Sequence, residues 1–235
     1  MDMNFQRNNK LKWFSHSTIE MINQCQRCFW LRVNKNIKQP EGIQSRLANR
    51  FDRVIKNYFD NYRLKNMIPP VIKDKIRGKL QNPFKETYSH PINNKYGFKG
   101  ILDECIVDNN FYVPVDFKTT SSDPALFDSP NLEPKKVELM NVYKNQIEEY
   151  IFLMEKNNLP TGKYGYLIFF YPDFSNEVHN GFPMRVDIKK IENTKPENAL
   201  KRINKAIEIL EGPLPSPSPD CNFCSWFKDV KEYYE

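Results

Sequence analysis

The chain predicts an α/β fold, and three observations carry that expectation. Residues 45–62 repeat apolar side chains at helical spacing (Leu47, Phe51, Val54, Ile55, Tyr58 and Phe59), a stripe wide enough to pack against a sheet. Tyr96–Val107 and Phe111–Thr119 instead favour β-branched and aromatic residues and alternate, imperfectly, at the period of strands. Helical periodicity then returns over Val137–Asn158.

The elements follow in order. Ser17 and Glu20 have the spacing of a capping box, and Ile19, Ile22, Cys25 and Phe29 continue as one helix through Leu31, with Cys25 and Cys28 near its end. The second helix covers Ser45–Tyr62 and stops before Pro69 and Pro70. Asp108, Asn109 and Asn110 separate the two strand-like runs, which predicts a hairpin. Ser121–Pro134, with serines, aspartates and three prolines, reads as loop. After the helix at Val137–Asn158 come two short strands, Gly165–Tyr171 and Met184–Ile188, and a helix over Pro196–Leu210. Pro213, Pro215, Pro217 and Pro219 then form a stiff connector that leads to Cys221 and Cys224.

With 235 residues, 40% of them hydrophobic, the chain suits a single domain over 1–235 that can bury a core. No apolar run is long enough to span a bilayer, and Met1–Lys10 is polar, so the expected location is cytoplasmic and no membrane partner is expected. The formal net charge of +6 permits a polyanionic partner without requiring one. In a reducing compartment the five cysteines are expected to be metal ligands, catalysts or core residues rather than disulfides.

A two-residue turn at Asn109 and Asn110 sets Asp108 against Phe111 and, counting outward, Asp103 against Asp116. Like charges directly opposite repel, so the pair calls for a cation or a shared proton; a bound metal supplies the cation, and an oxygen-rich site of this kind suits Mg²⁺ or Mn²⁺. Lys118, two residues beyond Asp116, shares its face, where an ammonium can orient the attacking water or neutralise charge on a phosphate. Phe117 points to the packed face, and its backbone carbonyl is a further candidate ligand. Pro114 interrupts the strand and predicts a bulge or an unpaired side there.

Gly100-Ile101-Leu102-Asp103 followed by Val115-Asp116-Phe117-Lys118-Thr119-Thr120 resembles the metal-binding hairpin of PD-(D/E)XK nucleases, in the RecB-like branch where a G-x-x-D strand precedes a D-x-K-T strand. The resemblance implies a restriction-endonuclease-like core, a mixed central β-sheet flanked by helices. It also implies Asp103 and Asp116 as metal ligands and Lys118 as the catalytic lysine. Gln146 and Tyr150 lie four apart on the predicted long helix and share a face. They match the branch's Q-x-x-x-Y helix, which implies a place beside the active site. The branch also commonly carries a metal-contacting histidine on the helix before the hairpin. Lys56 falls at about that position and is not a usual ligand, so His16, Asp52 or water is left to complete the metal's shell; the remaining histidines are His90 and His179.

Cys25-Gln-Arg-Cys28 and Cys221-Asn-Phe-Cys224 give a 2+2 arrangement able to wrap one tetrahedral ion, and four thiolates suit Zn²⁺ or an iron-sulfur cluster. Such a site joins the N-terminal helix to the C-terminal tail. Cys25–Leu31 is similar to the C-P-R-K-F-x-L segment of RecB-like nucleases, including CRISPR adaptation nucleases, many of which carry an iron-sulfur cluster. Those typically use one early and three late cysteines, whereas here the pairs are even. Cys105 has no partner at ligand spacing and is expected in the core.

The leading expectation is therefore a nuclease acting on DNA ends or single strands, with Trp30, Tyr143, Tyr150 and Trp226 as candidates for stacking on bases. A noncatalytic DNA-binding module and a zinc-stapled interaction protein stay open. So do exo or endo action, a helicase or integrase partner, oligomeric state, and a role in CRISPR adaptation, recombination repair or phage DNA processing.

Overall fold

The computed structural model describes residues 11–40, 46–121, 123–128, 133–173, 183–231 and 233. His179, Ser45 and part of the 121–134 loop lie outside them. In chain order the described elements are β1 (Lys12–Phe14), α1 (His16–Gln24), α2 (Gln26–Lys35), α3 (Arg46–Leu64), β2 (Lys79–Leu80), β3 (Thr87–Pro91), β4 (Tyr96–Ile101), β5 (Glu104–Asp108) and β6 (Phe111–Thr119). A short 3-10 turn at Pro124–Asp128 precedes α4 (Pro134–Lys156), β7 (Gly165–Pro172), β8 (Met184–Ile191), α5 (Glu197–Glu211) and α6 (Asn222–Lys231). The fold is mixed α/β, and none of its described helices is long and apolar enough to cross a membrane.

Two compact units divide the chain: Met1–Pro40 with Ser89–Lys99 and Lys201–Glu235, and Glu41–Tyr88 with Gly100–Leu200. In the second, five strands form a mixed sheet in the order β2-β5-β6-β7-β8, antiparallel except for the β6–β7 pair. Alternation along β6 gives its two faces different neighbours. Val113, Val115 and Phe117 join Ile55 and Phe59 of α3 and Ile168 and Phe170 of β7 in one buried cluster. Asp116 and Lys118 project from the other face, to side chains of α4. There Gly165 has a physical reason to lack a side chain, since a Cβ would come within 2.6 Å of Ile147 and 2.9 Å of the Pro114 carbonyl.

The hairpin register is the one the turn implies. Asp108 faces Phe111 and the pairing runs without slippage to Glu104 against Val115, so continuation sets Asp103 against Asp116. Asn109 (φ 46°) and Asn110 (φ 71°) both take the left-handed conformation of a type I′ turn, which asparagine tolerates and the strand twist favours. Pro114 makes no bulge in this register, because it pairs directly with Cys105. Counting from the turn, that pair is of the kind whose amides do not bond across, and the β7 ladder begins only at Val115, so proline's missing N–H costs no ladder bond.

In the first unit β1, β4 and β3 form a three-stranded sheet with β1 and β4 parallel. Phe14 packs edge-on against Phe98 and Tyr96. The last carbonyls of α5 are met from α2, where the Trp30 indole N–H donates to the Gly212 carbonyl (3.1 Å) and Asn34 Nδ2 to that of Leu210 (2.9 Å). Lys95 and Glu211 add an ion pair at 3.1 Å.

Three sequence expectations change. The helix over 17–31 is two helices, divided by Cys25 in extended conformation (φ −163°, ψ 111°), and it starts at Ser15 rather than at a Ser17–Glu20 capping box. Tyr96–Val107 is two strands in different sheets, because the chain leaves the ladder at Leu102, whose N–H donates to the Glu86 carbonyl. The segment after the proline connector is not only a tail, since residues 222–231 form α6.

Candidate functional site

Asp116, Lys118, Gln146 and Tyr150 of the second unit form one connected set of side chains. Asp116, on the central strand β6, is only 3% exposed. Its Oδ2 lies 2.6 Å from Lys118 Nζ, and its Oδ1 accepts a hydrogen bond from Gln146 Nε2 at 2.8 Å. Gln146 closes the triangle, because its Oε1 accepts from Lys118 Nζ at 2.9 Å. One amide thereby fixes the acid and the ammonium together, using its donor for the first and its acceptor for the second.

Tyr150, one helical turn on, supports that amide. Its hydroxyl accepts from Gln146 Nε2 (2.8 Å) and donates to the Ile101 carbonyl (2.9 Å). Burial, and then the negative charges of Asp116 and Asp103, hold this phenol well above its ordinary pKa, so it remains a neutral donor. Close passage of α4 over Gly100 accounts for the glycine of the G-x-x-D segment, since a Cβ there would lie 2.9 Å from Leu153 Cδ1 and 3.1 Å from the Tyr150 ring. Tyr143 flanks the ammonium, its ring centroid 4.5 Å from Lys118 Nζ.

Asp103 takes a different pair of partners. The β5 ladder ends at Glu104, and the Phe117 N–H, which would otherwise lack its strand partner, donates to Asp103 Oδ2 at 2.9 Å. Asp103 Oδ1 lies 2.9 Å from Lys56 Nζ of α3, which also reaches Asp52 Oδ2 at 3.2 Å. Burial opposes the charge on Lys56, but Asp103 and then Asp52 outweigh it and raise its pKa, so the lysine is charged at neutral pH. Phe117 packs its ring 4.7 Å from that of Phe59, on the opposite face from the two acids.

The donors suit a hard divalent cation, since Asp103 and Asp116 occupy facing positions on one hairpin and Mg²⁺ is commonly held by one or two carboxylates with water and substrate oxygens. Neither carboxylate lacks a counter-charge, because Lys56 and Lys118 match Asp103 and Asp116 one to one. Any cation binding at Asp103 would therefore compete with Lys56. Among the described residues the one group of three or more His, Cys, Asp or Glu side chains close enough to share an ion is the cysteine cluster, so the two acids stand as a pair.

In the first unit the two C-x-x-C segments use the same local device twice. Cys25 caps α2 and Cys28 lies in its first turn, while Cys221 precedes α6 and Cys224 lies in its first turn. The helix-type bonds from the Phe29 N–H to the Cys25 carbonyl and from the Ser225 N–H to the Cys221 carbonyl repeat as well. All four Sγ atoms lie within 4.8 Å of one another, so the cluster can hold a metal ion and joins the N-terminal helices to α6. Burial raises the Cys25 thiol, but backbone hydrogen bonds from Ser218 and Cys28, with those of the neighbouring thiols, bring it down to about 6; burial chiefly pushes Cys28 up to about 11. Cys105 is fully buried in β5.

The remaining sequence candidates separate. Trp30 is held by its bond to Gly212, whereas Trp226 is 59% exposed on α6. The pairing that sequence reasoning missed is Lys56 with Asp103; the signal was a lysine on the helix before the hairpin. No family model matches the chain, and no curated protein matches it in sequence.

Proposed function

We propose that this chain is a metal-dependent nuclease that hydrolyses phosphodiester bonds in DNA, at ends or in single strands, on a restriction-endonuclease-like core. The observation that carries the reading is the Asp116–Gln146–Lys118 triangle. A buried carboxylate held against an ammonium, with an amide ordering both, is costly for a strand that needs only to fold, and it has a use in phosphoryl transfer.

Asp103 and Asp116 would hold Mg²⁺ or Mn²⁺, which when bound supplies a Lewis acid for the phosphoryl oxygen and lowers the pKa of a water. Lys118 places a positive charge beside the phosphate, where negative charge grows in the transition state. Gln146 orders Lys118 and Asp116 as a contact pair by accepting from the first and donating to the second, and Tyr150 prevents rotation of that amide. The surplus of Lys and Arg, 35 against 29 acidic residues, favours a polyanionic substrate.

A second reading has specific support. Lys56 gives Asp103 a resident counter-ion, as a DNA-binding module that does not cut would tolerate. Incubating the purified protein with end-labelled single-stranded DNA and Mn²⁺ separates the two. The nuclease reading predicts strand loss, a fall of about 100-fold or more in Lys118→Ala, and similar DNA binding by both proteins. Binding without cleavage by the unaltered chain supports the second reading, and equal cleavage by Lys118→Ala refutes the role given to Lys118.

A further inference from the structure

The four cysteines have a spacing that selects among metal centres. Cys25 and Cys224 Sγ are 3.8 Å apart, Cys28 and Cys221 3.7 Å, and Cys28 and Cys224 3.6 Å, with every remaining pair inside 4.8 Å. A disulfide would need about 2.05 Å, and all four are free thiols. Four thiolates around one Zn²⁺ at about 2.3 Å define a tetrahedron whose edge is that bond multiplied by √(8/3), or about 3.8 Å. The separations of 3.6, 3.7 and 3.8 Å match that edge to within a few tenths of an ångström.

An iron-sulfur cluster needs a wider cage. In a [4Fe–4S] cluster each cysteine binds a different iron, and the irons and sulfides stand between the thiolates. In a [2Fe–2S] cluster two cysteines share one iron, and the second iron separates them from the other pair. Either arrangement pushes some sulfur pairs well beyond the distance within which all six lie here.

We infer that Cys25, Cys28, Cys221 and Cys224 form a mononuclear tetrahedral Zn²⁺ site. Two features of the fold support it independently of the distances. Each C-x-x-C segment sits at a helix start, its first cysteine just before the helix and its second in the first turn, so both segments present their pair of sulfurs from the same local frame. The extended Cys25 that divides α1 from α2 is the N-cap residue of α2, and Cys25 and Cys28 pack in one buried cluster with Cys221. The ion closes a loop from the second helix to the last across nearly the whole chain, with Pro213–Pro219 as the stiff approach.

The test uses the full chain, expressed with both zinc and iron supplied and purified without oxygen. Elemental analysis is expected to find one zinc per chain, no acid-labile sulfide and no visible absorption. Replacement by Co²⁺ should give the intense visible bands of a tetrahedral tetrathiolate. Cys105→Ser should keep the full zinc content, and Cys224→Ser should lose tight zinc while the protein's Mn²⁺ response remains to be read separately. Iron with sulfide, one iron without sulfide, or no metal at all would each overturn the inference. The readout is metal content and spectrum, so its outcome is independent of whether the chain cleaves DNA.

Discussion

Replacing Lys56 with alanine should tighten divalent-cation binding. Lys56 Nζ is 2.9 Å from Asp103 Oδ1, and the lysine side chain is 36% exposed. At that distance unit charges attract by ~1.4 kcal/mol in water and by ~6 kcal/mol at an effective dielectric constant of 20. Partial exposure and the entropy of a long side chain bring the pair toward the low end, about 1–2 kcal/mol. An ion that takes Asp103 must break this pair, so removing it should lower the Mn²⁺ dissociation constant about 5- to 30-fold. Titration of metal-free protein, followed by the paramagnetic resonance of free Mn²⁺, measures it directly. Lys56→Arg keeps the charge and should bind as the unaltered chain does, whereas Asp103→Asn should bind more weakly. An affinity for Mn²⁺ in Lys56→Ala equal to or below that of the unaltered chain would refute the competition.

Other perturbations address neighbouring parts of the account. Gln146→Ala should leave Mn²⁺ binding in place but lower kcat, because Lys118 and Asp116 then lose the amide that orients both; unchanged kcat would remove Gln146 from the site. Arg63→Met strands Glu104, which is fully buried and paired with Arg63 at 2.6 Å, and should cost about 3–5 kcal/mol at pH 8 in urea unfolding. Burial already raises the Glu104 pKa against the pull of Arg63, so a raised folded value means that stability is greatest with the acid protonated and falls as pH rises through that value. The loss in Arg63→Met should therefore be smaller at pH 5 than at pH 8, and an equal loss at both would contradict it. Gly165→Ala should destabilise by about 1–3 kcal/mol, since the obstructing Pro114 carbonyl is backbone and cannot rotate away.

What the sequence made legible was what local rules determine. The Asn109-Asn110 turn sets a two-residue parity, so one correct turn places Asp103 opposite Asp116 and sends Phe117 to the other face. Helices α3 and α4 were legible because length and apolar spacing agree. The division of α1 from α2 was not, because Cys25 is no helix breaker and its extended conformation serves a contact with residues almost two hundred positions away. The exit of the chain at Leu102 was hidden for a similar reason: residues 96–107 are uniformly strand-like, and the change of sheet depends on Glu86. Strands of two or three residues, such as β1 and β2, carry too few side chains for a period to show. Lys56 came near the hairpin only through the resemblance, at about the place of that branch's histidine, and its bond to Asp103 is a tertiary fact.

The most direct test of the central claim is a crystal grown with Mn²⁺ and examined by anomalous scattering at the manganese edge. The account predicts a peak bonded at about 2.2 Å to one oxygen each of Asp103 and Asp116, with Lys56 swung off Asp103. A map without that peak at saturating Mn²⁺, with Lys56 still on Asp103, would contradict the metal site and with it the hydrolytic role.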